Sequence, residues 1–191
     1  YKRQVLLSVG IGLRYDLPAA IQAGLFMIVA QAAMKGLAFL CKGVCHFYRD
    51  AATIDELRGT AARMPLVAAA FSVTLAGLAG VPPLAGFTGK WFILTNALRS
   101  SDALGYVGLV AFLLNSLLAL GYYLPLIGTL FTFPSSPPMG GKEGGGRIRI
   151  SPWMALPIIT LGALVLAIGL YPDPWLGWTA GVGDYLVALG R

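Results

Sequence analysis

Charged residues are scarce in this chain of 191 residues, where they make up 12%, and only eight of them are acidic. The sequence also has a single histidine and only two cysteines. Its two adjacent carboxylates, Asp55 and Glu56, lie in a charged stretch with Arg58, and we interpret them as part of a solvated face. It contains no metal-ligand cluster, nucleophile elbow or phosphate-binding loop. These absences exclude the common hydrolytic and redox centres, so we expect no catalytic residue, no metal and no cofactor in this chain.

The two cysteines and the histidine lie together in Cys41-Lys42-Gly43-Val44-Cys45-His46. A spacing of four places both thiols on one helix face, where a disulfide would distort the helix, so we interpret both as reduced packing residues. The spacing is one residue too long for haem attachment. For His46 two interpretations remain, a solvent-facing residue at a helix end and a proton relay.

What the sequence has in abundance is apolar residues, at 57% of the chain with a mean hydropathy of +0.75. These values are typical of an integral membrane protein rather than a soluble domain. The net charge of +6 does not indicate nucleic-acid binding, because lysine and arginine are dispersed at the ends of the apolar stretches. We predict an all-α, polytopic transmembrane helix bundle.

Hydropathy predicts a short apolar piece followed by four spans. The piece covers residues 5–13, and the spans cover about 17–41, 66–98 with a break at 80–86, 104–133 and 153–171. Four spans are too few to enclose a charged pathway, and no signal peptide is visible at the start. We therefore expect the chain to be one half of a longer subunit that lacks its N-terminal half, in contact with lipid and with other integral membrane subunits.

The basic residues predict the orientation in the membrane. They concentrate in two loops, 43–64 and 134–151, two spans apart and hence on the same face. The positive-inside rule assigns both loops to the cytoplasm and the C-terminal tail to the outside. The residues responsible are Arg49, Arg58, Arg63, Lys142, Arg147 and Arg149.

The most informative stretch is the break in the second long span. A straight helix over 66–98 would be ~50 Å long, whereas the hydrocarbon core is ~30 Å thick. Within it lie Gly80, Pro82, Pro83 and Gly86. The prolines remove two backbone donors, and the freed carbonyls need partners other than lipid. Broken helices at membrane depth are typical of transport sites.

Lys90 follows the break, nine residues before Arg99. Nine helical residues place it ~13 Å below the interfacial arginine, close to the midplane. A lysine at that depth needs water, a counter-charge or a bundle interior. Our hypothesis is that Lys90 takes up and releases protons. The alternative is a tilted half-helix from which Lys90 reaches the headgroups.

A second polar stripe lies on the first span, where Gln31, Lys35 and Lys42 are offset by four and seven residues and share one helix face. Lys35 is ~20 Å or more from either charged end of its helix. The alternatives to a proton path are a snorkelling Lys42 and a Lys35 that is hydrogen-bonded to a neighbouring carbonyl.

These two stretches resemble the antiporter-like proton-channel subunits of respiratory complex I, membrane-bound hydrogenases and multisubunit cation/proton antiporters. Residues 31–40 are similar to the family's His-Ala-x-x-Lys-Ala-Leu-Leu-Phe-Leu segment, with Gln31 where a histidine is usual. Residues 80–90 are similar to its Gly-x-Pro-Pro-x-x-Gly-Phe-x-x-Lys pattern. The resemblance implies that Lys35 is the central channel lysine and Lys90 the terminal one.

The resemblance further implies a proton-translocating membrane subunit of a complex I-like NADH/quinone oxidoreductase or related respiratory complex, in the inner membrane of a prokaryotic cell. Flavin, iron–sulfur clusters and quinone would then belong to partner subunits. Since no long lateral helix follows Trp178, an M- or N-type subunit is favoured. The alternatives are a subunit of a multisubunit sodium/proton antiporter or of a membrane-bound hydrogenase, and a scaffold whose lysines bind lipid headgroups.

Overall fold

A computed structural model describes residues 2–15, 17–98, 103–132 and 146–189. These residues are helical or irregular, and no strand occurs among them, which confirms the all-α prediction. The helices are α1 (Lys2–Arg14), α2 (Pro18–Arg49), a 3₁₀ turn (Asp55–Leu57), α3 (Thr60–Arg63), α4 (Pro65–Ala79), α5 (Ala85–Leu98), α6 (Ala103–Phe131), α7 (Pro152–Leu170) and α8 (Asp173–Leu189).

Three of the described helices are long and apolar enough to cross a membrane: α2, α6 over 106–131, and α7. The predicted broken span is occupied by α4 and α5, with the chain out of helical conformation between Ala79 and Ala85. Gly86, which the sequence placed inside the break, belongs to the first turn of α5.

Helix α2 is the centre of the bundle, because α1, α4, α5, α7 and α8 all pack against it. Its apolar face forms the main core with α4 and α7. Among the buried side chains of this core are Phe26, Met34, Leu37, Cys41, Cys45, Phe71, Leu75, Val165 and Ile168. Both cysteines are free thiols in this core, in agreement with their interpretation as packing residues.

The end of α2 differs from the sequence prediction. The helix continues past Cys41 to Arg49, so the first part of the predicted loop 43–64 is helical. Asp50 ends it in a left-handed conformation (φ 50°), with its N–H donating to the carbonyl of His46. The polar residues that suggested a loop instead form the last two turns of an amphipathic helix, whose inner face is Cys41, Val44 and Cys45.

The C-terminal segment also differs, because the predicted tail contains helix α8. Glycines at 177 and 181 weaken its helical signal in the sequence. The helix packs against α2, where the Gln22 amide nitrogen donates to the Leu176 carbonyl oxygen at 2.7 Å. Two other predictions fall outside the described residues. They concern most of the loop 134–151, including Lys142, and the interfacial residue Arg99.

Candidate functional site at the helix break

The first half of the broken helix ends at Gly80. Its φ of 93° is a left-handed conformation that glycine adopts without strain. The Gly80 N–H donates to the Gly77 carbonyl and the Val81 N–H to the Ala76 carbonyl, both at 3.0 Å. This pair of bonds is a Schellman motif, which satisfies two of the last carbonyls of α4. The carbonyl of Ala79, the last residue of α4, is left for another donor.

That donor is Lys90. Its ammonium nitrogen lies 2.8 Å from the Ala79 carbonyl oxygen, and the side chain is only 7% exposed. The lysine therefore reaches back from the second half-helix to the end of the first. A helix C-terminus has partial negative charge and favours a cation there, whereas burial is unfavourable to any charge.

Between the two halves, the chain turns through Pro82 and Pro83, which are exposed and joined by a cis peptide bond. The Leu84 N–H donates to the Val81 carbonyl at 3.1 Å, and the Phe87 N–H donates to the Leu84 carbonyl at 2.9 Å, which starts α5. The chain thus recovers its hydrogen bonds on both sides of the break, as it must at membrane depth.

Glycines allow three backbone segments to meet at the break. A β-carbon on Gly86 would lie 1.8 Å from the Gly77 carbonyl oxygen, so the two halves cross in direct backbone contact. A β-carbon on Gly169 of α7 would lie 2.6 Å from the backbone nitrogen of Ala85. The end of α7 therefore packs directly on the break.

Helix α2 covers the break from another side. The sulfur of Met34 is 2.7 Å from where a β-carbon on Gly77 would be, and the sulfur of Met27 is equally close to such an atom on Gly89. The two methionines thus contact α4 and α5 respectively. Gln31 lies on the same face of α2, four residues after one methionine and three before the other.

Gln31 is the most unusual residue of this interface. It is 6% exposed, and neither its amide nitrogen nor its amide oxygen has a hydrogen-bond partner among the described residues. An unsatisfied buried amide costs free energy, on the order of 1–3 kcal/mol per group. Groups of this kind are commonly satisfied by internal water, which needs polar partners in an otherwise apolar site.

Two further buried polar atoms lack partners in the described part of the chain, Oδ1 of Asn96 on α5 and Oγ of Ser116 on α6. The amide nitrogen of Asn96 donates to the Phe92 carbonyl at 2.8 Å, so only its oxygen is unsatisfied. The four unpaired atoms in the described part of the chain therefore lie on α2, α5 and α6. Both α2 and α6 pack against α5. Asn96 and Ser116 were not predicted as site residues, although a lone amide or hydroxyl within an apolar span is a usable signal.

The predicted site residues on α2 differ in burial and in their position along the helix. Gln31 is buried, whereas Lys35 is exposed on the surface of the described bundle. Two positions four residues apart differ by about 40° around the helix axis, so one of them lies inside the packed face of α2 and the other outside it. The Lys42 ammonium donates to the carbonyls of Ala51 and Ala52, in the loop after α2.

His46 is exposed near the end of α2. It lies about 22 Å along the helix from Gln31 at the usual rise per residue. The structure therefore brings Lys90 to the break at Gly80 and places Gln31 on the face of α2 that packs over α4 and α5. It leaves Lys42 and His46 at the loop end of α2.

These features define a class: a multi-pass, all-α membrane protein with a discontinuous helix and a buried lysine at its break. The sequence model of the family described as NADH:quinone oxidoreductase/Mrp antiporter, transmembrane, matches residues 9–119. The match covers more than half of the chain and includes Lys35, Lys90 and the break. The chain belongs to this family, which confirms the resemblance noted in its sequence.

Curated relatives agree with this assignment. Subunit N of the F420H2 dehydrogenase of Methanosarcina mazei is 30% identical over 168 residues, which are 83% of this chain and 32% of that protein. NADH-quinone oxidoreductase subunit 14 of Thermus thermophilus is 34% identical over 147 residues, 77% of this chain and 31% of that protein. The chain spans about a third of the length of these relatives.

Two solved structures share the fold. A chain of Thermus thermophilus respiratory complex I with bound aureothin matches at a TM-score of 0.53 and 27% identity, over 91% of this chain and 43% of that one. A chain of the Mrp complex from a Dietzia species matches at a TM-score of 0.72 over 89% of this chain and 38% of that one. At 24% identity, the second likeness shows the fold alone.

Proposed function

We propose that this chain is part of a proton-translocating membrane subunit of a complex I-like NADH/quinone oxidoreductase or a related respiratory complex. The observation that supports it best is the position of Lys90, buried in the helix break with its ammonium on the Ala79 carbonyl. The unpaired polar atoms of Gln31, Asn96 and Ser116 support it further, because internal water on these atoms would supply proton carriers around α5.

In this proposal Lys90 alternates between its charged and neutral forms. The carbonyl of Ala79 stabilises the ammonium and burial opposes it, so a change in a nearby charge is able to shift the balance between the two forms. A charge change in the neighbouring part of the complex alters the protonation of Lys35. The proton then moves through water held by Gln31 to Lys90 and is released beside the break.

Lys42 and His46, at the loop end of α2, are the proposed entrance to this path. The break formed by Gly80, Pro82, Pro83 and Gly86 is the proposed release region. The arginine distribution supports a cytoplasmic location for the segments 43–64 and 134–151 and an outside location for the C-terminal segment. The proposed location is the inner membrane of a prokaryotic cell.

The names of the relatives favour a redox-linked complex over a sodium/proton antiporter as the parent assembly. Its remaining parts would be the N-terminal portion of this subunit, other integral membrane subunits and lipid. Flavin, iron–sulfur clusters and quinone would reside in partner subunits and none in this chain. A path lined by lysines also offers few oxygen ligands for sodium.

The test is proton translocation by the complete complex in sealed vesicles, followed with a pH-sensitive dye. Lys90→Ala should abolish pumping while the complex still assembles. Lys90→Arg should abolish it too, because arginine keeps the charge and does not release its proton. Lys142→Ala, a lysine of the predicted loop, is the matched control and should pump normally. Full pumping in Lys90→Ala would contradict the proposal.

Purification from the native membrane tests the parent complex. Co-purifying flavin or iron–sulfur subunits, seen in an absorbance spectrum, would support the redox-driven pump. A cofactor-free assembly of membrane subunits with sodium-dependent transport would support the antiporter instead.

A further inference from the structure

A cavity of about 460 Å³ opens where α4 and α7 begin, away from the helix break. One wall is the start of α4 and the other is the extended segment 147–150 with the first turn of α7. The lining residues are Pro65, Leu66, Arg147, Ile148, Arg149, Ile150 and Ala155. Nothing in the proposed proton path uses this cavity.

Backbone bonds hold the extended segment in place. The Ile148 N–H donates to the Arg63 carbonyl at 2.8 Å, and the Ser151 N–H donates to the Tyr48 hydroxyl at 3.0 Å. The side chains between these bonds alternate, with Ile148 and Ile150 half-buried and the arginines exposed. Alternation of this kind turns the isoleucines to the protein and leaves both guanidinium groups at the cavity.

The charged side chains that line the cavity are both basic. Arg147 and Arg149 line it, and two helix N-termini adjoin it, at Pro65 of α4 and Pro152 of α7. Neither helix has a side-chain hydrogen bond at its N-cap, so the partial positive charge of both ends is available to an anion. None of the lining residues is acidic.

The cavity lies at the level of the membrane interface. Trp153, in the first turn of α7, is 85% exposed, as expected for a tryptophan in the interfacial aromatic belt. Leu66 and Ala155, in the first turns of α4 and α7, give the cavity an apolar wall beside the arginines. A ligand that fits has an anionic head next to an apolar tail.

We propose that this cavity binds the headgroup of an anionic phospholipid. The phosphate pairs with the guanidinium groups of Arg147 and Arg149, which present a planar fork to phosphate oxygens. One acyl chain lies along Leu66 and Ala155. The bound lipid links the starts of α4 and α7, the two helices that meet again at the break.

The test uses the complete complex, purified in mild detergent and exchanged into excess phosphatidylcholine, with retained phosphatidylglycerol counted by native mass spectrometry. The R147Q/R149Q variant should retain one phosphatidylglycerol fewer than the wild type. The phosphatidylcholine concentration that displaces this lipid should fall roughly tenfold or more, because each surface arginine contributes substantially to anionic-lipid binding. R147K/R149K keeps both charges but loses the planar forks, so it should hold the lipid more tightly than R147Q/R149Q and less tightly than the wild type.

Arg58→Gln is the matched control, since Arg58 lies in the other arginine-rich loop and pairs with Asp55 at 3.1 Å. It should leave the lipid count unchanged. An equal count in wild type and R147Q/R149Q would overturn the proposal. Displacement of the lipid by millimolar inorganic phosphate would also overturn it, by showing that the site prefers soluble phosphate. Proton pumping is measured separately, so failure here leaves the proposed function unaffected.

Discussion

Gly86 and Gly77 meet across the helix break so closely that a β-carbon on Gly86 would lie 1.8 Å from the Gly77 carbonyl oxygen. The atom that such a β-carbon would meet belongs to the backbone, which cannot move aside as the end of a flexible side chain does. The crossing of α4 and α5 therefore depends on this pair. It also sets the distance from Lys90 to the end of α4.

Gly86→Ala should destabilise the protein, because the added methyl forces the two half-helices apart. Overpacking of a rigid interior costs roughly 1–3 kcal/mol, occasionally more. We expect a lower thermal midpoint and a lower yield of assembled complex. Gly121→Ala in α6 is the control, since a β-carbon there meets nothing within 4 Å, and it should be neutral or slightly stabilising. Equal yields for both variants would contradict the contact.

Gly80→Ala should impair function more than assembly. Alanine at φ 93° costs roughly 1–2 kcal/mol, and its β-carbon would lie 2.8 Å from the Lys90 ammonium nitrogen. The end of a lysine is flexible, so the side chain is expected to move off the Ala79 carbonyl rather than unfold the helix. Proton translocation per assembled complex should fall, whereas Gly43→Ala, with open space around it, should translocate normally. Unchanged rates in both variants would show that the bond to Ala79 is dispensable.

The helix break was predictable because it depends on local chemistry. Pro82 and Pro83 lack backbone donors, and a span that includes them exceeds the membrane thickness, so the sequence alone indicates an interruption. The depth of Lys90 follows from counting helical residues. Its acceptor, the Ala79 carbonyl, was not predictable, because it depends on how far the second half-helix turns back against the first.

Side-chain orientation on α2 was predictable only approximately. Helical periodicity places Gln31 and Lys35 within 40° of each other, but the edge of the packed face falls between them, and only tertiary contacts locate that edge. The hydrogen bonds from Lys42 to the loop were not predicted, because their acceptors are the backbone carbonyls of Ala51 and Ala52. Every residue has a backbone carbonyl, so the sequence does not indicate which carbonyl accepts a hydrogen bond.

The loop after α2 should lose order in acid. The Glu56 carboxylate accepts the backbone N–H groups of Thr53 and Ala52, and these bonds hold the pKa of Glu56 below its ordinary value. A carboxyl with a lowered folded-state pKa stabilises the folded loop fully above its unfolded pKa of about 4.3, and this contribution is lost as the pH falls through the folded value.

Hydrogen exchange of the Thr53 and Ala52 amides measures this effect directly. In the wild type, protection should persist at neutral pH and decline below the ordinary titration range of glutamate. Glu56→Gln should reduce the protection at neutral pH, since the neutral amide is a weaker acceptor. Asp55→Asn, which removes only the exposed pair with Arg58, should behave like the wild type. Protection that does not depend on pH would contradict the assignment.

Gln31→Leu should separate stability from transport. Leucine removes two buried polar atoms that have no partner in the described part of the chain, so we expect a thermal midpoint equal to or above that of the wild type, while proton translocation slows because the water held by the amide is lost. Gln22→Leu, on the same helix, is the matched control. It deletes a 2.7 Å bond to the Leu176 carbonyl, so it should lower stability by about 1 kcal/mol and leave translocation unchanged. A loss of stability in Gln31→Leu with normal translocation would mean that the amide has a structural partner and no part in the proton path.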